Sequence, residues 1–133
     1  LTSRMMATDW PKESKDLPID MIKAGIPVSA LIELEPLLHT SINDGLKMTL
    51  EEAISESPLH HPPTTDAPQL VVVGGNETRE FHRQSDDYCE QIRTSKRKVE
   101  RYSVPNADHF DEINELSNEG STFFGKVLTL ITS

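Results

Sequence analysis

The stretch Leu70-Val-Val-Val-Gly-Gly75 constrains this chain more than any other. Leu70 to Val73 form an unbroken apolar run, β-branched at all but the first place and preceded by Pro68. Such a run predicts a short strand covered on both faces, as in a parallel sheet. Gly74 and Gly75 break it, and Glu77 follows in the turn. From Arg79 the spacing becomes helical, with Phe81, Tyr88, Cys89 and Ile92 at its apolar positions and a basic last turn near Ser95. A chain that leaves a buried strand, shows a carboxylate on a loop and then turns helical puts that carboxylate at the carboxyl edge of a sheet. Open α/β sheets hold their ligand and catalytic groups at that edge.

A second unit repeats the pattern. A strand is expected at Val99 to Tyr102, followed by the loop Val104-Pro-Asn-Ala-Asp-His-Phe110 and a helical signal. The loop therefore presents His109 much as the first presents Glu77. A serine hydroxyl is a poor nucleophile until a histidine takes its proton, and that histidine needs a carboxylate to fix its tautomer. On this logic His109 is the candidate general base and acid, and Glu77 the carboxylate that orients it. The plainer readings are an exposed loop histidine and an ordinary turn carboxylate. Competing acids stand nearby at Glu80, Asp86, Asp87 and Asp108. Asp86 and Asp87 fall inside the helix, and Asp108 is too close in sequence to reach the ring of His109.

The two segments GGNETREFHRQS and VPNADHFDEINEL, in that order, resemble the end of the kynurenine formamidase (arylformamidase) group of α/β-hydrolases. LEPLLHTSIN at 34–43, with SPL at 57–59, is similar to the same group. The resemblance implies an α/β class: the C-terminal part of an α/β-hydrolase fold, parallel strands with flanking helices. It implies a triad in the order Ser, Asp or Glu, His, with Glu77 where many relatives carry aspartate. The implied reaction is hydrolysis of N-formyl-kynurenine in tryptophan breakdown, with a small acyl or formamide substrate and neither metal nor organic cofactor.

The opening LTSRMMATDWP looks like the helix that follows the nucleophile elbow of that family, yet neither G-x-S-x-G nor an HGG-type loop occurs in the 133 residues. The expectation is a partial domain over 1–133, carrying two of three triad members and inactive alone. Residues 37–61 are then lid or cap-side helices, and 69–133 the strand-acid-helix-strand-His-helix end of the fold. The partner expected first is the missing N-terminal half with the nucleophile; a homodimer stays open. Two other readings remain: a broad carboxylesterase of the same fold, and a truncated, non-catalytic hydrolase acting as a binding chain.

Other candidates point to structure. His60-His61 and His39 lack a helical H-x-x-x-H or flanking cysteines, so they read as solvated loop residues and no metal site is expected. His82 reads as structural, and Arg83 as a partner for nearby carboxylates. Cys89 is the one cysteine, so no intrachain disulfide forms, and it reads as a small buried residue. The net charge of −9 disfavours nucleic acid and anionic membranes as partners. No apolar run approaches the ~20 residues of a membrane span, so a cytoplasmic location is the default. A hydrophobic share of 35% is low for a free-standing globule and fits a sheet with an edge left to cover.

The remaining elements follow in order. A helix is expected over Leu1 to Thr8, ended by Asp9-Trp10-Pro11. The first strand candidate is Ile26 to Ile32, with Pro27 near its start. A short helix is expected over Leu37 to Ile42. A T-x-x-E capping box at Thr49 and Glu52 opens a helix over 50–56 that Ser57-Pro58 ends. The last helix, Ser121 to Thr132, places Phe123, Phe124, Val127, Leu128, Leu130 and Ile131 largely on one face for docking on a sheet.

Overall fold

The computed structural model of the chain describes residues 1–132. Helices α1 (Thr2–Ala7), α2 (Trp10–Glu13), α3 (Ile42–Leu46) and α4 (Leu50–Glu56) precede strand β1 (Gln69–Gly74). Helix α5 (Arg79–Thr94), strand β2 (Val99–Val104) and helices α6 (Asp111–Asn114) and α7 (Thr122–Thr132) complete it. β1 and β2 pair in parallel with Gln69 opposite Val99 and Gly74 opposite Val104, joined by α5 as a crossover. The result is a small parallel sheet with helices on both faces.

β1 is buried along its whole length, as a β-branched run enclosed on both faces requires. Its side chains alternate between two clusters. Val71 packs with Ile32, Tyr88, Cys89 and Ile92 beneath α5. Leu70 and Val72 pack with Val104, Ala107 and Phe123 beneath α7. Burying one such Ile or Leu side chain stabilises the fold by roughly 1.5–3 kcal/mol. Tyr88 brings a polar tip into the first cluster, and its hydroxyl donates to Gln69 Oε1 at 3.0 Å.

The strand expected at Ile26 to Ile32 is not a continuous one. The segment lies parallel to the free side of β1 and bridges to it at Gly25–Gln69 and Val28–Val72 only. The bonds Leu70 N–H to Gly25 O, Val72 N–H to Pro27 O and Ser29 N–H to Val72 O are each 2.9 Å. Pro27 has no N–H to offer the ladder, and Ser29 turns away with φ 40°. β2 is two residues longer than expected, since its pairing continues to Val104.

The helix expected over Leu37 to Ile42 is instead a 3₁₀ turn, Glu35–His39, followed by α3. Past Asp9, Trp10-Pro11 opens the extra turn α2, because proline is tolerated at a helix start. The capping box forms as expected: Thr49 Oγ1 accepts from Glu52 N–H at 3.2 Å, and Glu52 Oε2 accepts from Thr49 N–H at 2.8 Å. Serine 57 ends α4 in extended conformation before Pro58. On α7 the apolar face is narrower than expected. Phe123 is buried and Val127 and Leu130 pack beside it, whereas Leu128 and Ile131 are exposed. Among the described residues no helix is long and apolar enough to cross a membrane.

Candidate active site

Glu77 and His109 meet. His109 Nδ1 lies 2.7 Å from Glu77 Oε1. A carboxylate only accepts, so the shared hydrogen sits on Nδ1 and the imidazole keeps Nε2 for other work. The Glu77 side chain is 2% exposed while that of His109 is 49% exposed. The acid is thus sealed behind the ring and the ring faces outward.

The loops that carry these groups are tied together by backbone. Gly75 N–H donates to Val104 O at 2.8 Å, and Asn76 N–H to Ala107 O at 2.9 Å. The side chain of Asn76 also donates to Asn106 O at 3.0 Å. This closeness accounts for the glycines. A Cβ on Gly74 would stand 2.7 Å from Ala107 O and 2.9 Å from Asp108 O, and one on Gly75 would stand 2.9 Å from Val104 O. Asp108 shapes the turn that presents the ring: its Oδ1 accepts from Phe110 N–H at 2.8 Å and Asp111 N–H at 3.0 Å. Those N–H groups, that of Asp111 first, hold the Asp108 carboxyl below its ordinary range. Phe81 flanks the His109 ring with centroids 5.2 Å apart, and Phe110 meets it edge-on at 5.4 Å.

Behind the pair lie three groups that sequence reasoning did not single out. Gly74 N–H donates to Glu77 Oε2 at 2.8 Å, and the Ser29 hydroxyl donates to the same oxygen. With His109, Glu77 therefore accepts three hydrogen bonds, the coordination a buried carboxylate needs. Glu112, 2% exposed, completes the cluster. Burial pushes its carboxyl up, with the charge of Glu77 adding to the rise. The available signals were slight: Ser29 lies in the middle of the first strand candidate, and Glu112 follows His109 by one helical turn.

Glu77, His109 and Glu112 each offer a ligand atom within 4.8 Å of the others. They are the residues that could hold a metal ion, although Gly74 and Ser29 already occupy lone pairs of Glu77 that a cation would use. His39, His60 and His61 form no such group among the described residues.

The competing acids go elsewhere. Glu80 and Asp87 bind Arg83, at 2.6 and 2.7 Å, and so does Glu33. Asp86 pairs with Arg101, whose guanidinium also meets His82 Nδ1 at 3.0 Å. Buried Gln84, not singled out either, accepts from Ile32 N–H and Glu33 N–H at 2.8 and 2.9 Å and so fixes the 30–34 segment to α5. Cys89 is fully buried.

His109 and Phe81 line a cleft of about 940 Å³, walled also by Leu1 to Arg4, by Pro27 to Leu31 and by Leu37, Thr40 and Ile42. That size suits a small organic molecule.

No protein-family model matches the chain. A kynurenine formamidase of Salmo salar is 34% identical over 122 residues, covering 87% of this chain and 40% of that protein. A kynurenine formamidase of Danio rerio is 29% identical, covering 98% of this chain and 45% of that protein. The crystal structure of a candidate thioesterase from Silicibacter sp. TM1040 superposes with a TM-score of 0.77 at 29% identity, covering 98% of this chain and 45% of that one. The chain thus spans less than half the length of the relatives it matches. Over most of its own length it is a homologue of proteins named kynurenine formamidase, 29–34% identical to them.

Proposed function

We propose that this chain provides the acid and the base of a Ser-Glu-His triad in an α/β-hydrolase that cleaves N-formyl-kynurenine. The observation that carries the reading is the 2.7 Å contact of His109 Nδ1 with a Glu77 side chain that is 2% exposed. Such a pair leaves Nε2 free to take a proton from a hydroxyl at the cleft. On this reading the nucleophilic serine and the oxyanion donors are supplied from outside these 133 residues, a reading supported by relatives of which the chain covers 40–45%.

In the proposed mechanism His109 Nε2 takes the serine proton as the oxygen attacks the formyl carbon, and Glu77 stabilises the imidazolium that forms. His109 then passes that proton to the departing aniline nitrogen, which frees kynurenine and leaves a formyl-serine. Water, deprotonated by His109 Nε2, then attacks the formyl-serine carbon, and His109 returns that proton to the serine oxygen as its bond to carbon breaks, which frees formate and restores the hydroxyl. Glu77 stays a carboxylate throughout, which suits its three donors. Residues 37–61 furnish one wall of the cleft through Leu37, Thr40, Ile42, Glu56 and Pro58, and we assign them the role of a lid over the substrate.

A second reading is an esterase or thioesterase with the same machinery. It is favoured by the structural likeness to the candidate thioesterase. Turnover of N-formyl-kynurenine compared with a short p-nitrophenyl ester and an acyl thioester, in the intact protein, separates the two. Preference for the formamide supports the first reading, and equal or better ester or thioester turnover replaces it with the second.

A further inference from the structure

We propose that Arg4 and Glu56 form the subsite for the α-amino-acid end of the substrate, Arg4 taking its carboxylate and Glu56 its ammonium group. The proposal rests on the reading of the cleft as a formamidase site with the formyl group at His109. It adds the residues that tell an amino acid from other acyl compounds there.

The side chains that bring charge to the cleft wall are Arg4, Glu56, Glu80 and His109. Two of them are already committed. His109 binds Glu77. Glu80 accepts from Arg83 Nη2 at 2.6 Å and from Gln84 Nε2 at 2.8 Å. Arg4 and Glu56 are held far more loosely. Arg4 Nη2 stands 3.9 Å from Glu56 Oε2, beyond hydrogen-bonding distance, and the two side chains are 40% and 62% exposed. Arg4 Nη1 is enclosed by the protein and has no acceptor. An arginine that serves the fold uses its forked donors, as Arg83 does with Glu33, Glu80 and Asp87. The guanidinium of Arg4 makes no hydrogen bond to any described residue, and a carboxylate is the group its fork fits.

An α-amino acid carries its carboxylate and its ammonium group on one carbon, so its recognition needs opposite charges side by side. Arg4 from the last turn of α1 and Glu56 at the end of α4 supply them. An open ion pair of this kind is weak because solvent screens it, so a zwitterion that meets both charges replaces it at little loss. An anionic acyl chain would gain from Arg4 and lose against Glu56, and an uncharged ester gains from neither. In N-formyl-kynurenine the amino-acid end lies across the aromatic ring and a short chain from the formamide. A cleft of about 940 Å³ whose wall holds both His109 and the Arg4–Glu56 pair has a place for each end.

The test uses the intact protein with N-formyl-kynurenine, its counterpart without the carboxylate (N-formyl-kynuramine) and a short p-nitrophenyl ester. Arg4→Gln should raise KM for N-formyl-kynurenine by about tenfold or more while kcat falls by less than about threefold, since binding rather than chemistry is lost. Glu56→Gln should raise that KM by about three- to tenfold. The ratio of kcat/KM on the formamide to that on the ester should fall by similar factors. The wild type should disfavour N-formyl-kynuramine by about tenfold, and Arg4→Gln should erase that difference, because both changes remove one interaction. The wild-type comparison of the two formamides requires no variant to fold. Equal kcat/KM on them in the wild type, an unchanged KM in Arg4→Gln, or a KM that rises equally for both would overturn the subsite and leave the formamidase reading standing. A wild type that turns over the ester but not N-formyl-kynurenine would instead overturn the formamidase reading, and the subsite with it.

Discussion

The backbone N–H of Gly74 donates to Glu77 Oε2 at 2.8 Å, at the point where β1 runs out of partners on one side. In a regular parallel ladder the bond from Ser29 N–H to Val72 O would be followed by one from Gly74 N–H to Ser29 O. The sheet gives up that bond, and the amide freed by it holds the carboxylate. Where the ladder ends and where the acid is anchored are therefore the same feature.

The contact between His109 and Glu77 leads to a direct expectation. Under the proposed function, His109→Ala in the intact protein should lower kcat/KM on N-formyl-kynurenine by on the order of 10³-fold or more. Glu77→Gln should lower it by a similar order, because an amide that presents N–H to the ring favours the wrong tautomer. Circular dichroism should be unchanged in both, which separates lost chemistry from lost fold.

Gly74→Ala should damage both stability and activity. The added Cβ meets backbone oxygens of Ala107 and Asp108 at 2.7 and 2.9 Å, and these atoms cannot rotate away. The loop bearing His109 must retreat, at a cost of about 1–3 kcal/mol for overpacking. Urea unfolding should show the loss. Activity should fall further than that of an equally destabilised variant in the cluster around Ile92.

Cys89 should be silent toward thiol reagents in the folded protein. Burial pushes its thiol up to about 11, so at pH 8 only about one in a thousand is thiolate. Ellman's reagent should report no fast-reacting thiol until denaturant is added, and one afterwards. Rapid labelling of the native chain would contradict the packing of Cys89 with Ile32, Val71 and Ile92.

Arg83 gives stability an acid-sensitive part. Hydrogen bonds from Arg83, then from Gln84, hold the Glu80 carboxyl down to about 2 from its ordinary 4.5. Its folded value lies below its unfolded one, so this contribution is complete above the unfolded value and fades as pH falls through the folded one. Both side chains are 43% exposed, which limits the pair to about 0–1 kcal/mol through solvent screening. Arg83→Met should be the less stable protein near neutrality, and the gap to the wild type should close as pH falls toward about 2. Denaturant midpoints across that range measure it.

The sequence by itself determined the local features. Four apolar residues before two glycines specify a strand buried on both faces. Thr49 and Glu52 specify a helix start, and Ser57-Pro58 its end, because each depends on chain neighbours within a few residues. The order of strand, acid, helix, strand and histidine set Glu77 and His109 at one sheet edge. What tertiary structure alone decided is everything that joins residues far apart. It turned the expected first strand into two bridges, since Pro27 lacks a donor and Ser29 bends away. It left Leu128 and Ile131 of α7 facing solvent. It also put Ser29, Gly74 and Glu112 around Glu77. A hydrogen bond spanning 48 positions, such as that from Ser29 to Glu77, leaves no periodicity in the chain. Only the packed fold brings such groups within reach of each other.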